Sequence, residues 1–291
     1  MIRTVLRAVV IVAFISASGE ASQAASGYNY TLISAPNAVS TEVHGINTTG
    51  SLAGQFTDAA GATHGFKDIA GVFTTIDAPG AVLTQAGAIN NAGSVVGFYI
   101  DASGFYHGFL DSSGVITTLD VPLASATQAY GINDSNQIVG AFSDSTGQHG
   151  FLYNGTYSTI DVGTLNSTVA TGINNAAQIV GHFAAVGGTT LSFLKIAGRT
   201  TTIDSSSNVV TAALGINNSA VIVGIDGTET QFSSFVYQNG RFSRSHLKVL
   251  NSILTEADGI NDAGEIVGWF FTAQTPTQGF IAVPSGGAGV R

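Results

Sequence analysis

Six copies of one short signature constrain this chain more than any other feature. Gly-Ile-Asn or a close variant sets an asparagine at Asn47, Asn90, Asn133, Asn174, Asn217 and Asn261, at intervals of 43, 43, 41, 43 and 44 residues. Ile-Val-Gly or a relative follows each time, ending at Gly54, Gly97, Gly140, Gly181, Gly224 and Gly268. A third element, His-Gly-Phe or a relative, ends at Phe66, Phe109, Phe151, Phe193, Phe235 and Phe280, and a fourth, Thr-Thr-Ile-Asp or similar, runs through Asp77, Asp120, Asp161 and Asp204. Self-similarity at a fixed period means that one supersecondary unit is built again and again, each copy needing its neighbours to bury its apolar face.

The segments read as strands joined by tight turns. Asn and Gly stand where a hairpin needs left-handed backbone, as in Asn90 to Gly97 and Asp101 to Gly104, and Val, Ile, Phe, Tyr and Thr fill the stretches between. No stretch after residue 25 keeps a helical period. Four strands in about 43 residues predict a propeller blade, since the coil of a β-helix is shorter. The last copy stops after its third strand, Gln278 to Val283, while Tyr30 to Ala38 is an orphan fourth strand that aligns without a gap on Phe73 to Ala81. The expectation is an all-β, six-bladed β-propeller of four-stranded blades, closed when the N-terminal strand completes the last blade and so covers the exposed edges. A β-trefoil or a stacked solenoid is the alternative use of six equal units.

Residues 1–24 read as a cleaved signal peptide: Arg3 and Arg7, the apolar run Ala8 to Ile15, then the small-x-small site Ser22 to Ala24. That run is too short for the roughly 20 residues of a membrane span. Residues 25–291 then form a single domain. Loss of Arg3, Arg7 and Glu20 takes the formal charge from −9 to −10, which disfavours nucleic acid as a partner; no membrane contact is expected after cleavage. With no cysteine, neither disulfides nor thiol chemistry can be proposed.

The recurring Gly-Ile-Asn, Ile-Val-Gly, His-Gly-Phe and Thr-Thr-Ile-Asp pattern, from about Tyr28 to Val283, resembles the bacterial HAF family of extracellular repeats. The family's His-Ala-Phe stands here as His-Gly-Phe at His64, His107 and His149 and is lost at Leu191, Ser234 and Gln278. The resemblance implies secretion and lends no catalytic residue.

Comparing the copies separates scaffold from candidate site. Thr41, Thr84, Thr127, Thr168, Thr211 and Thr255 recur, each with Val43 or an alanine two places on, and belong to the scaffold. Two interleaved positions vary: Glu42, Gln85, Gln128, Val169, Ala212 and Glu256, then His44, Gly87, Tyr130, Thr171, Leu214 and Asp258. A strand's period of two sends both to one face of the innermost strand, at the channel mouth on the side of the Asp101 to Gly104 type of loop. Ring closure sets Glu256 and Asp258 beside Glu42 and His44, with Gln85, Gln128 and Tyr130 along the arc; Trp269 offers a flat surface.

These eight residues are the candidate ligand site. Carboxylates with an imidazole suit sugar hydroxyls, Ca²⁺ or another cation, or a partner protein of the cell surface. A glycan-directed hydrolase or lyase is the first alternative, with Glu42 and Glu256 as its carboxylate pair, and a purely structural surface protein the second. No G-x-S-x-G, H-E-x-x-H, P-loop or EF-hand loop is present, so the chain is read as non-catalytic. His64, His107 and His149 sit on successive copies, too far apart to share a zinc ion. They are expected to cap their own loops near Asp58, Asp101 and Asp144.

Overall fold

The computed structural model describes residues 27–205, 209–228, 231–243 and 247–285, so the signal segment expected at 1–24 lies outside the described residues. They form strands and turns with no helix. β1 (Tyr28–Ile33) comes first. The first unit is β2 (Ser40–Ile46), β3 (Leu52–Thr57), β4 (Thr63–Ile69) and β5 (Val72–Ile76). The second is β6 (Ala81–Ile89), β7 (Val95–Asp101), β8 (Tyr106–Ser112) and β9 (Val115–Leu119). The third is β10 (Ala126–Ile132), β11 (Ile138–Asp144), β12 (Gly147–Tyr153) and β13 (Tyr157–Ile160). The fourth is β14 (Thr168–Ile173), β15 (Ile179–Ala184), β16 (Thr190–Ile196) and β17 (Arg199–Ile203). The fifth is β18 (Val210–Ile216), β19 (Ile222–Gly227), β20 (Phe232–Gln238) and β21 (Arg241–Ser243). The sixth has β22 (Leu254–Ile260), β23 (Ile266–Phe271) and β24 (Gln278–Pro284).

Each unit is an antiparallel meander, and β1 pairs antiparallel with β24, from Tyr28 opposite Pro284 to Ile33 opposite Gly279. Single parallel bridges, Thr63 to Leu83 and Thr190 to Val210, join the first unit to the second and the fourth to the fifth. The result is two sheets of four strands and two of eight, none closed on itself.

Two motifs of the repeat are one packing device. Gly54 of β3 lies opposite Phe66 of β4, and the same register pairs Gly97 with Phe109, Gly140 with Phe151, Gly181 with Phe193, Gly224 with Phe235 and Gly268 with Phe280. A Cβ on Gly140 would stand 2.0 Å from the Gln128 carbonyl oxygen and 2.7 Å from the Phe151 ring, so only glycine fits. The six phenylalanines are at most 1% exposed, and each anchors a cluster that spans two units; Ala53 and Ile76 of the first, for example, pack with Phe109 of the second. Burial of each ring stabilises by about 1.5–3 kcal/mol.

The recurring threonines do the scaffold task expected of them. The hydroxyl of Thr84 accepts a hydrogen bond from the Ala78 amide at 3.1 Å, and Thr41, Thr127, Thr168, Thr211 and Thr255 do likewise for the residue six places earlier. The connection entering each inner strand is thereby pinned.

The asparagines link the units. Each uses Oδ1 to close its own turn, as Asn133 does with the amides of Ser135 and Gln137 at 3.1 and 3.0 Å. Each uses Nδ2 to donate to the carbonyl of the next asparagine: Asn47 to Asn90, then Asn133, Asn174, Asn217 and Asn261, and from Asn261 back to Asn47 at 3.1 Å. The circuit joins the last unit to the first, where the Thr41 amide also donates to the Thr277 carbonyl.

The histidine reading holds in part: each histidine lies near the aspartate of its own loop, and His149 Nε2 meets Thr146 of that loop at 2.8 Å, but the shorter carboxylate contact goes elsewhere. His64, His107 and His149 bond at 2.9, 2.9 and 2.7 Å to Asp77, Asp120 and Asp161, the aspartates of the fourth motif; Asp58, Asp101 and Asp144 lie farther, at 3.5–3.6 Å. The loop aspartates are occupied by their own turns, Asp101 accepting from the Ser103 and Phe105 amides. The register also makes Ser233, not Ser234, the fifth unit's counterpart of His64: Asp226 faces Ser233 as Phe56 faces His64.

Candidate functional site

The inner hairpins carry a bulge at the same place in every unit. Val43 pairs with Gly54 and Gly45 with Ala53, leaving His44 as the extra residue, and Gly87, Tyr130, Thr171, Leu214 and Asp258 hold that position in the other units. A bulge bends its strand and re-aims a side chain. The period-two reading therefore holds as far as the bulged residue and breaks there. All six bulged positions border the channel.

The channel widens toward the bulges. Next to the asparagines its cavity is about 80 Å³, in the middle about 90 Å³, and beyond the bulges about 300 Å³. His44, Gln85, Tyr130, Glu256 and Asp258 line this widest part together with Gly87, Val169, Thr171, His182 and Leu214. Of the eight residues expected at the site, Glu42, Gln128 and Trp269 are not among its lining. Glu42 accepts a 2.7 Å bond from Gln55 Nε2. Gln128 faces Ala141, and Trp269 faces Glu256 on the partner strand with its ring stacked on Phe271, centroids 6.5 Å apart.

The seam between the last and first units assembles a polar chain from residues more than two hundred positions apart. His44 Nδ1 lies 2.8 Å from Asp258 Oδ2, and His44 Nε2 lies 3.6 Å from Glu42 Oε2. Asp258 and Glu256 lie near enough for each to influence the other's ionisation. Burial pushes the Glu256 carboxyl up to about 8, reinforced by the charge of Asp258. Asp258 is also raised, by burial first and then by Glu42. Burial holds His44 below the ordinary imidazole range against the pull of Glu42 and Glu256, and pushes His182 down to about 4 and the Tyr130 hydroxyl up to about 12. Near neutral pH the wall thus carries neutral imidazoles and a carboxyl that keeps its proton, giving hydrogen-bond donors as well as acceptors.

His182 is the lining residue that sequence reasoning missed. It follows Gly181 in Ile-Val-Gly, the place Trp269 holds in the sixth unit, and that column varies as much as those on the inner strand: Gln55, Phe98, Ala141, His182, Ile225 and Trp269. Its Nδ1 is buried without a hydrogen-bond partner. Among the described residues no group of three or more His, Asp or Glu has the arrangement to hold a metal ion.

No family model matches the chain, and no curated protein matches it in sequence. Solved structures do resemble it. The β-propeller domain of the Trilobed protease from Pyrococcus furiosus is 10% identical with a TM-score of 0.56, over 88% of this chain and 84% of that one. The AofleA protein of Arthrobotrys oligospora is 12% identical with a TM-score of 0.54, over 91% and 90%. The Aleuria aurantia lectin, in complex with Fucalpha1-6GlcNAc, is 11% identical with a TM-score of 0.53, over 87% and 98%. At such identities the likeness shows the fold alone. The chain has an all-β architecture of the propeller type, a frame on which many unrelated sites are built.

Proposed function

We propose that this chain is an exported six-bladed β-propeller, closed by β1, that binds carbohydrate at the wide mouth of its channel and performs no chemistry there. The asparagine circuit and the β1–β24 pairing support the ring. The resemblance to HAF repeats and the signal-like leader support export. The observation that carries the ligand class is the 300 Å³ cavity itself. One side offers Glu256, Asp258, His44 and Gln85 as mixed donors and acceptors, and the other offers Tyr130, Val169 and Leu214 as an apolar wall. Few convergent polar groups in a largely preformed apolar pocket make a small-ligand site, and a sugar has both the hydroxyl edge and the C–H face to match it. The Aleuria aurantia lectin, a fucose-specific one, supports the same class by fold.

Hydrolysis is the second reading, favoured by one observation: Glu256 keeps its proton to about pH 8, as a general acid must. A glycan array probed at pH 6 and pH 9, with and without Ca²⁺, tests the proposal. Retention of at least one glycan at pH 6, weaker at pH 9 where Glu256 ionises, is expected. A blank array would reject carbohydrate binding, a response to Ca²⁺ alone would replace the sugar with a cation, and turnover lost in Glu256→Gln would make the protein an enzyme.

A further inference from the structure

Where a unit's third strand starts beside the next unit's first strand, backbone contacts close the gap at four junctions, while among the described residues none does so after the second unit or after the fifth. Thr63 bridges Leu83, Gln148 bridges Ser167, Thr190 bridges Val210, and Thr277 accepts from the Thr41 amide. Tyr106 holds that place in the second unit, and no such contact joins β8 to β10 among the described residues. A groove of about 170 Å³ opens there instead, lined by Phe105, Tyr106, His107, Asp120, Ser125 and Thr127.

Its two aromatic residues face solvent, Phe105 being 55% and Tyr106 39% exposed. Leaving such rings in water costs free energy that a ligand face recovers. The edge beside them is polar. His107 Nδ1 lies 2.9 Å from Asp120 Oδ2, and both side chains keep part of their surface in water, at 26% and 46%. The back wall continues inward: the Tyr106 ring is 5.7 Å from Phe98, and Phe98 is 6.2 Å from Tyr130, which lines the channel mouth.

We propose that this groove is a second carbohydrate subsite, in which a neutral pyranose ring packs its C–H face on Phe105 and Tyr106 and directs hydroxyls to His107 and Asp120. For the ligand class it rests on the reading of the channel mouth. A neutral ligand follows from the acid at the edge and the formal charge of −9, which disfavour an anionic one. The first unit shows by contrast what a closed junction looks like: His64 and Asp77 make the same pair there, but Thr63 stands in place of Tyr106 and is bridged.

Calorimetric titration with chito-, cello- and fucosylated oligosaccharides of one to six rings tests it, on wild type, Phe105→Ala, Tyr106→Ala and Glu256→Leu, with melting temperatures checked for each. Phe105 lies outside the Tyr106–Phe98–Tyr130 series, so its removal leaves the channel wall in place. Each alanine variant is expected to bind about three- to ten-fold more weakly, with Phe105→Trp restoring affinity. Wild-type affinity in both alanine variants overturns the groove, whatever Glu256→Leu does. Loss in Phe105→Ala with none in Glu256→Leu upholds the groove and rejects the channel mouth as the carbohydrate site. No binding by wild type overturns both.

Discussion

At one end of the channel every unit contributes an asparagine; at the other the same strands contribute His44, Gly87, Tyr130, Thr171, Leu214 and Asp258. The asparagine end is uniform because each residue serves two neighbours at once, closing its own turn and donating to the next carbonyl. Changing one copy disturbs two units, so the sequence has no freedom there. The bulged end makes no contribution to the ladder, its residues being the ones left unpaired. It can therefore hold a buried acid in one unit and a leucine in another. One set of strands thus separates the demands of folding from those of recognition along its length.

The comparison breaks most readily at the scaffold. Gly140→Ala, which drives a Cβ against the Gln128 carbonyl, is expected to cost about 3 kcal/mol or more, read by chemical denaturation. Next comes Asn133→Ala, which removes the acceptor of two turn amides and the donor to Asn174. A loss on the order of 3 kcal/mol is expected, since the partners are left buried and unpaired. An Asn133→Ala protein as stable as wild type would mean that the circuit is an accessory to the fold.

At the opposite mouth the signs differ. The Glu256 carboxyl titrates near 8 when folded and near 4.5 when unfolded, so the folded protein holds the extra proton between these values. Its contribution is complete below about pH 4.5 and is lost as pH rises toward 8, on the order of 2–4 kcal/mol in all. Glu256→Gln should flatten this alkaline limb in denaturation curves taken from pH 5 to 9. His182 runs the other way: held to about 4, it takes up its proton later than in the unfolded chain, so stability is present above pH 6.5 and falls as pH drops toward 4. His182→Asn should flatten the acid limb and leave the alkaline one. The smallest effect is expected at the outer strands, where His107→Leu should cost less than about 1 kcal/mol. The fourth unit already has Leu191 at that position.

Much of the scaffold was legible in the sequence because repetition reports it six times. The intervals gave the unit, the orphan segment after Tyr28 gave the partner of β24, and the recurrence of Thr41 and its equivalents marked residues bound to the backbone. The site was legible only in part. His44, Glu256 and Asp258 could be placed together by following the chain round to its start, but a bulge has no plain sequence signature, and His182 stood in a column where only Trp269 had drawn notice. Parity points to Glu42 and Gln128, and the place after Ile-Val-Gly to Trp269, but neither signal tells a residue at the cavity wall from one off it. The Asp77 to His64 bond joins residues on paired strands, and neither loop length nor motif spacing distinguishes it from the Asp58 alternative.

The sharpest test of the two-ended channel is a single binding measurement. The glycan held best by the wild type is titrated at pH 6 into Tyr130→Ala and into the Glu256→Leu, Asp258→Leu double variant, neither of which can hydrogen-bond a sugar at those positions, with melting temperatures recorded alongside. The account predicts that both lose most of their affinity while remaining folded. Full affinity in both folded variants would contradict it and move the site away from the channel.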